Sequence, residues 1–401
     1  MFLSKLFSKR IYLDNASLTP IDKRVIRVMN EYSGPIYANP SSLYKEGVRA
    51  KEALKKAREK VAGFLHAQTS EIFFTSGGTE SNNLAILGTV ENLHKAGVDY
   101  DKMHILISVI EHSSIRECAN QLQERGVEVE MLPVDKNGLV SVDELKKKIR
   151  INTVVVSVMT VNNEIGTIEP IKEIAKTIRH FRTANKESSV FNFQNFAYPF
   201  FHTDASQAFL YEDINVEKFG VDLLTLDSSK VYGPRSTGLL YVRKGAPITP
   251  IIFGGGQESG MRSGTENLPA ICGFMRALEI AYKERSEEYE RILNIKEYFK
   301  NELRSIRNDI SINGGDSGHN SPHILNVHIP KIDNEFFVIE LDAKGVACST
   351  KSSCLGDEEQ SYVLNAIGVN SKESVRFSFG RFTTLGDVKK ALKIISKILK
   401  K

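Results

Sequence analysis

The sequence has no tryptophan, few cysteines, no large charge excess and no long apolar run. Its four cysteines, Cys118, Cys272, Cys348 and Cys354, are too few in 401 residues for a disulfide framework. We therefore expect free thiols in a reducing cytoplasm. The net charge of +4 gives no indication of direct nucleic-acid binding. No apolar stretch reaches the roughly 20 residues that span a bilayer, so no membrane partner is expected. Residues 1–10 lack the apolar core of a secretory signal and are interpreted as a disordered leader.

Seven apolar runs rich in β-forming residues alternate with helical patterns. Most of the runs are continuously apolar, which is typical of strands buried on both faces of a mainly parallel sheet. The pattern predicts an α/β fold with a large domain built on a seven-stranded sheet that helices cover. The predicted strands are 71–76, 104–109, 127–134, 153–161, 200–205, 222–228 and 238–244.

The pattern changes near residue 267, where a long helical stretch runs to about 306. Short strands and a final amphipathic helix follow it, which indicates a smaller α+β domain. We predict four parts: the leader 1–10, an N-terminal segment 11–30 packed on the small domain, a large domain 31–266, and a small domain 267–401 with a cysteine-bearing loop.

Polar and glycine-rich groups follow five of the predicted strands. Ligands of open α/β sheets bind beyond the carboxyl ends of the strands, so these groups are candidates for one site. Each one alone is equally well explained as a helix cap or a satisfied hydrogen-bonding group. The candidates are Gly78, Thr79, His112, Asn163, Asp204, Gln207 and Lys230.

Pyridoxal 5′-phosphate is one ligand that would use all of these groups. Its aldehyde condenses with a lysine amine, here Lys230, and its ring nitrogen needs an acidic partner, here Asp204. Its phosphate suits the N–H-rich turn at 77–80. His112 can stack on the ring, while Asn163 and Gln207 can bond the phenolic oxygen and its surroundings.

Two further residues suggest a reaction on an amino acid. Cys354 lies in a small, polar stretch, 346–364, which is typical of an exposed loop, and an exposed thiol can be nucleophilic. Arg376 lies on a β-like run and can pair with a carboxylate. The alternatives are an incidental solvent-facing cysteine and a surface ion pair. Cys348 is expected to be buried, and Cys118 and Cys272 to be small core residues.

Several motifs together resemble the cysteine desulfurases, enzymes of the class V aminotransferase superfamily with the homodimeric fold type I. They include YLDNASLTP (12–20), FFTSGGTESNNLAI (73–86), EHSSI (111–115), VNNEIGTI (161–168), HTDASQ (202–207), SKVYGPRSTG (229–238), GGGQESGMRSGTEN (254–267) and SVRFSFGRFTT (374–384). The resemblance covers residues 11 to 395.

The resemblance implies that the enzyme transfers sulfur from L-cysteine to a cysteine persulfide and releases L-alanine. It makes Lys230 the Schiff-base lysine, His112 the ring-stacking histidine and Cys354 the persulfide-forming thiol. It adds Thr265, which would reach the neighbouring subunit's phosphate, and Asn39, which with Arg376 would hold the substrate carboxylate. A homodimer and a sulfur acceptor, such as an iron–sulfur scaffold protein or a tRNA-thiolation enzyme, are the implied partners.

Four features depart from the family pattern. Ser229, a predicted cofactor contact, stands where a histidine is usual, and Asp227 stands where a phosphate-binding serine is common. A carboxylate beside a phosphate is unfavourable. Residues 183–199 form an insertion, and the loop after Cys354 is one residue shorter than usual.

Two of the three alternative functions stay open on the sequence alone. The chain is also consistent with a selenocysteine lyase or another pyridoxal-phosphate enzyme, and with a degenerate dimeric scaffold, which Asp227 and Ser229 favour. A metal-binding protein has no support in the His and Cys spacing.

Overall fold

The computed structural model describes residues 10–186, 197–315, 318–350 and 360–400. The β-strands, numbered along the chain, are β1 Ile11–Tyr12, β2 Ile72–Thr75, β3 His104–Ser108, β4 Glu128–Leu132, β5 Thr153–Ser157, β6 Phe200–Asp204, β7 Leu223–Asp227, β8 Gly238–Val242, β9 Ser311–Asn313, β10 Ile324–His328, β11 Val346–Ala347 and β12 Ser374–Ser378. The α-helices are α1 Lys23–Ser33, α2 Lys45–Leu65, α3 Gly78–Lys95, α4 Ser113–Glu124, α5 Val142–Lys148, α6 Ile171–Ala184, α7 Val216–Phe219, α8 Leu268–Ile306, α9 Asn334–Ala343, α10 Tyr362–Ala366 and α11 Leu385–Leu399.

Strands β2 to β8 form a seven-stranded sheet in the order β2-β8-β7-β6-β5-β3-β4. Strand β8 runs antiparallel to both of its neighbours, and every other neighbouring pair in this sheet is parallel. The seven apolar runs read from the sequence correspond to these seven strands. The predicted α/β fold with a mainly parallel seven-stranded sheet is therefore confirmed.

Helices cover both faces of this sheet, and strand β3 shows why its sequence does not alternate. Ile105 and Ile107 pack into the core on one side of the sheet, whereas Leu106 packs into the core on the other side. All three side chains are fully buried. Because both faces exclude water, the middle positions of β3 all carry apolar side chains, and only its ends, His104 and Ser108, are polar.

The C-terminal part of the chain begins with α8, whose 39 residues make it about 58 Å long. It is followed by an antiparallel sheet of order β12-β10-β9. Helix α8 packs against α1 and α2 as well as against α11. It therefore links the two ends of the chain, and a domain division at residue 267 stays a prediction. Among the described residues, no helix combines the length and the apolar character that crossing a membrane requires.

The N-terminal segment connects the small sheets to the end of β7. Strand β1 pairs in parallel with β11. Further along, the hydroxyl of Thr19 donates to the main-chain oxygen of Ser229 at 2.7 Å and accepts from the N–H of Tyr232 at 2.8 Å. The segment is thereby attached to the turn that carries Lys230. Most of the predicted insertion at 183–199 and the whole leader before Arg10 lie outside the described residues.

The first residue of β8, Gly238, lies between the ends of β2 and β7. It pairs with Thr75 on one side and with Asp227 on the other. A Cβ atom at Gly238 would lie 2.7 Å from the main-chain carbon of Gly77 and 2.8 Å from the main-chain oxygen of Leu226. These are backbone atoms, so the turn that starts α3 would have to shift.

We expect Gly238→Ala to lower the free energy of unfolding by about 1–3 kcal/mol, because overpacking here displaces backbone rather than a flexible side chain. Urea denaturation followed by circular dichroism measures the change. Gly63→Ala is the matched control: nothing lies within 4 Å of a Cβ at this helical position, so it should be neutral or stabilising by about 0.4–1 kcal/mol. Equal stability of Gly238→Ala and wild type would contradict the packing argument.

Candidate active site

A cavity opens at the carboxyl ends of the parallel strands, where the sequence predicts a site. Seven of the predicted residues line it together: Gly78, Thr79, His112, Asn163, Asp204, Gln207 and Lys230. They are brought together because β2, β3, β5, β6 and β7 all run in one direction and end at the same edge of the sheet. The cavity also includes Ala16 and Ser17 of the N-terminal segment, which the sequence did not indicate.

Lys230 ends a 3₁₀ turn, Ser228–Lys230, that directly follows β7. Its ammonium group donates to the main-chain oxygen of Ser17 at 2.5 Å and faces that of Ala16 at 3.4 Å. Main-chain oxygens hold an amine without neutralising it. These two main-chain oxygens therefore orient the amine of Lys230 without carrying a net charge that would pair with it.

Asp204 is the last residue of β6, and its side chain is only partly accessible from the cavity. One carboxylate oxygen accepts the N–H of Ser206 at 2.9 Å, and the other accepts the side-chain amide of Asn82 at 2.9 Å. Asn82 was missed from the sequence, although it lies one helical turn after Gly78 and so on the same face of α3. Each carboxylate oxygen retains a lone pair that can accept a further donor.

His112 caps the N-terminus of α4 with its ring. The Nδ1 atom accepts the N–H of Ser114 at 3.2 Å and lies 2.8 Å from the hydroxyl of the same residue. An atom that accepts an N–H carries no proton, so a neutral ring holds its proton on Nε2. The cap fixes the ring in the cavity wall.

Buried neutral histidines lie behind the cavity. Gln207 donates to the main-chain oxygen of Ala16 at 2.8 Å, and its side-chain oxygen lies 3.1 Å from Nε2 of His323. Burial lowers the pKa of His323 to about 3, with further lowering by Lys296 and Arg376. Burial also lowers the pKa of His202, in β6, to about 4. Neither ring brings positive charge to the site at neutral pH.

Arg376 lies behind Asn163 rather than in the cavity wall. Its guanidinium donates to the main-chain oxygen of Asn163 at 2.8 Å and to the carboxylate of Asp14 at 2.8 Å. The side chain is 1% exposed, so the alternative interpretation as a surface ion pair is wrong. Its Nε has no hydrogen-bond partner among the described residues.

The remaining predicted residues do not line the cavity. Asn39 is exposed, and its side-chain oxygen accepts the N–H of Ser41 at 2.9 Å. Thr265 is exposed on the segment before α8. Ser229 donates its N–H to Asp227 at 2.7 Å. Cys354 lies outside the described residues.

The last residues of the stretch 346–364 are attached to the cavity edge; here the predicted exposed loop is wrong, because Ser361 is buried and caps helix α10. The hydroxyl of Ser361 donates to the carboxylate of Glu164 at 2.6 Å. The hydroxyl of Tyr362 donates to the main-chain oxygen of Glu111 at 2.7 Å. Glu111 and Glu164 directly neighbour His112 and Asn163 in sequence, so the chain emerging at residue 360 is fixed beside both of these cavity residues.

The cysteines within the described part of the chain are free thiols. Cys118 and Cys272 are buried, as predicted, whereas Cys348 is only partly buried. Burial raises the pKa of the Cys348 thiol well above its usual range. Over the described residues, no group of three or more His, Cys, Asp and Glu side chains is arranged to hold a metal ion.

A family model described as Aminotransferase class-V matches residues 11–391. The chain therefore belongs to the class-V aminotransferase family.

Within that family it is similar to cysteine desulfurases over nearly its whole length. It is 38% identical to the cysteine desulfurase IscS of Dictyoglomus turgidum, with 98% of this chain and 95% of that protein aligned. It is 39% identical to the mitosomal cysteine desulfurase of Encephalitozoon cuniculi, with 95% and 84% aligned.

Solved structures agree with this likeness. A NifS-like protein superimposes with a TM-score of 0.87 at 34% identity and covers 98% of this chain and 100% of its own. SspA in complex with cysteine superimposes with a TM-score of 0.77 at 33% identity and covers 94% and 100%.

Glu111 is a further residue of the site region that sequence reasoning missed. It is fully buried, and one oxygen accepts the N–H of Met159 at 2.6 Å. The other oxygen has no partner among the described residues. Burial raises the pKa of Glu111 well above its usual value, and the nearby charge of Asp204 raises it further. The raised pKa favours the protonated, neutral form of the Glu111 carboxyl group in the folded protein.

We expect Glu111→Gln to be at least as stable as wild type at pH 8. In wild type the unfolded chain releases this proton near the ordinary pKa of 4.5, while the folded chain keeps it. Wild-type stability therefore falls as pH rises from about 4.5 towards the raised native pKa, by at most about 1.4 kcal/mol per pH unit. Glutamine does not titrate, so this loss disappears.

Urea denaturation at pH 5 and pH 8 measures the effect. Glu302→Gln, at an exposed position on α8, is the matched control and should follow wild type at both pH values. If Glu111→Gln and wild type lost stability equally between these pH values, Glu111 would be ionised in the folded protein.

Proposed function

We propose that this protein is a pyridoxal-phosphate-dependent cysteine desulfurase that converts L-cysteine to L-alanine and keeps the sulfur as a persulfide on Cys354. The observation that carries the proposal is one cavity lined by both the oriented amine of Lys230 and the hydrogen-bonded carboxylate of Asp204. The full-length likeness to cysteine desulfurases supports it.

The cavity residues fit the ring and the aldehyde of pyridoxal phosphate. Asp204 would accept a hydrogen bond from the protonated ring nitrogen, and His112 would lie on the ring face. Gln207 and Asn163 would form hydrogen bonds with the phenolic oxygen and its surroundings. The buried side-chain oxygens of Asn82 and Ser206 also line the cavity and have no hydrogen-bond partner within the described residues. Unpaired buried polar atoms indicate that the site takes a polar ligand.

When bound, the cofactor supplies a protonated ring that withdraws electrons from the substrate's α-carbon. Lys230, held at the end of β7, would accept the α-proton on Nζ and later return a proton. His112 would exchange a proton with the substrate thiol. The Cys354 thiolate would attack the substrate sulfur, so that an S–S bond forms as the C–S bond breaks. Cysteine and the enzyme thiol thus give alanine and the enzyme persulfide, without an external oxidant.

We also propose a cytoplasmic homodimer that passes sulfur to an acceptor protein such as an iron–sulfur scaffold or a tRNA-thiolation enzyme. The low cysteine content, four in 401 residues, supports a reducing compartment. The exposed position of Thr265, away from its own chain's cavity, is consistent with the predicted contact to a neighbouring subunit's phosphate.

Replacing Cys354 with alanine tests the proposal. We expect Cys354→Ala to bind the cofactor, seen as visible absorbance, and to respond spectrally to cysteine, because its cavity residues are unchanged. It should form neither alanine nor a protein persulfide, since the attacking sulfur is gone. Alanine release and persulfide labelling measure both products.

Cys348→Ala is the matched control and should keep full activity, because that thiol is partly buried with a raised pKa. Lys230→Ala should lose the visible absorbance itself. Persulfide formation at the wild-type rate by Cys354→Ala would overturn the role of Cys354. A colourless wild type in the presence of pyridoxal phosphate would overturn the whole proposal and favour a non-catalytic dimeric scaffold.

Arg376→Lys tests the proposed binding of the substrate carboxylate. We expect KM for cysteine to rise on the order of tenfold, because lysine cannot make the bidentate contact of a guanidinium and loses at least one charge-assisted bond of about 1.5 kcal/mol. The turnover number should change much less.

Arg381→Lys is the control, since Arg381 is a half-buried arginine paired with Asp22 at 3.0 Å and Glu284 at 3.3 Å outside the cavity wall. Thermal melting of both variants separates lost stability from lost substrate binding. Equal KM values for Arg376→Lys and wild type would assign Arg376 a structural role only.

A further inference from the structure

The end of β7 places a carboxylate on the turn that begins α3. Asp227 accepts the N–H of Gly78 through one oxygen at 3.0 Å and the N–H of Ser229 through the other at 2.7 Å. Gly78 is the first residue of an 18-residue helix, whose N-terminal N–H groups attract anions. An anion supplied by the chain itself already lies at this position.

The carboxylate is close enough to take the place of an incoming ligand. A Cβ atom built on Gly78 would lie 3.2 Å from the Asp227 carboxylate, and one on Gly77 would lie 3.7 Å from it. Asp227 lines the same cavity as Thr79 and Lys230. A phosphate that reached Gly78 would therefore meet Asp227.

Few cationic side chains lie near the start of α3 to offset the repulsion between Asp227 and a phosphate. Lys230 is the only Lys or Arg side chain in the described cavity wall. Arg262, near the start of α3, is paired with Glu80 at 2.9 Å, and Glu80 in turn accepts the N–H of Ser76 at 3.0 Å. The turn from 76 to 78 thus has two of its N–H groups bonded to carboxylates, and like charges in a partly buried site repel strongly.

We propose that Asp227 is a specificity-determining residue of the cofactor site, an internal anion that competes with the phosphate group for the start of α3. The inference rests on the proposed function, because it concerns how the same site receives pyridoxal phosphate. Asp227 weakens the binding of the phosphorylated cofactor and leaves the binding of unphosphorylated pyridoxal unaffected. The chain consequently gains much less affinity from the phosphate than a serine at position 227 would allow.

The test is equilibrium titration of the apoprotein with pyridoxal phosphate and, separately, with pyridoxal, followed by the visible absorbance of the lysine-bound aldehyde. We expect Asp227→Ser and Asp227→Asn to tighten binding of pyridoxal phosphate roughly tenfold or more, a difference of about 1.4 kcal/mol. Their Kd for pyridoxal should stay within about twofold of wild type, because pyridoxal has no phosphate to repel.

Asp333→Asn is the matched control. Asp333 caps α9 by accepting the N–H of Phe336 at 2.9 Å and does not line the cavity, so its loss removes one charge without touching the site. It should leave both dissociation constants unchanged. Asp227→Asn retains the side-chain shape and an oxygen that can accept one N–H, so it remains informative if Asp227→Ser folds poorly in a thermal melt.

The outcomes separate the two proposals. If the Asp227 variants bind pyridoxal phosphate as wild type does, or more weakly, Asp227 does not oppose the phosphate and this inference fails while the proposed function stands. If the Asp227 variants bind pyridoxal phosphate and pyridoxal more tightly by the same factor, the substitution does not act through the phosphate and the inference also fails. If the wild-type protein binds neither pyridoxal phosphate nor pyridoxal through Lys230, both the proposed function and the inference about Asp227 fail.

Discussion

The amine of Lys230 is held by main-chain oxygens that lie 213 and 214 residues earlier in the chain. This contact joins the N-terminal segment to the end of β7 at the cavity. It requires that the segment around Ala16 and Ser17 be in place, and Thr19 secures that segment through its bonds to Ser229 and Tyr232. The orientation of the Lys230 amine thus depends on two distant parts of the chain, the N-terminal segment and the turn that follows β7.

Arg376 is the corresponding junction on the C-terminal side. It belongs to β12 of the small sheet, yet its guanidinium bonds Asp14 of the N-terminal segment and the main chain of Asn163 at the cavity. A buried arginine of this kind is stabilising only if its partners stay in place, because an unpaired buried charge is costly. Three parts of the chain therefore meet at one cation directly behind the site.

Much of this arrangement could be predicted from the sequence, because a few strong rules apply. Strands such as β3 are covered on both faces and carry adjacent apolar residues in their middle, so they stand out as continuous runs. The carboxyl ends of parallel strands share one edge, so His112, Asp204 and Lys230 could be grouped before their positions were known.

The parts that could not be predicted depend on contacts between distant residues. The bond between Asn82 and Asp204 joins residues 122 positions apart, and no local pattern marks it beyond the helical spacing from Gly78. The burial of Glu111 and the pairing of Arg376 with Asp14 follow from packing of whole elements. The start of α3 at Gly78 is also set by its surroundings, since glycine has little helix propensity.

The bond from Asp227 to Gly78 has a consequence for how the protein matures. The start of a helix normally leaves N–H groups that need an outside partner, and a cofactor phosphate is one way to provide it. Here the polypeptide supplies that partner, so this edge of the sheet can be completed during synthesis without waiting for a small molecule. Under the proposed function, pyridoxal phosphate would then be loaded after folding, and its supply would govern how many molecules are active rather than how many are folded.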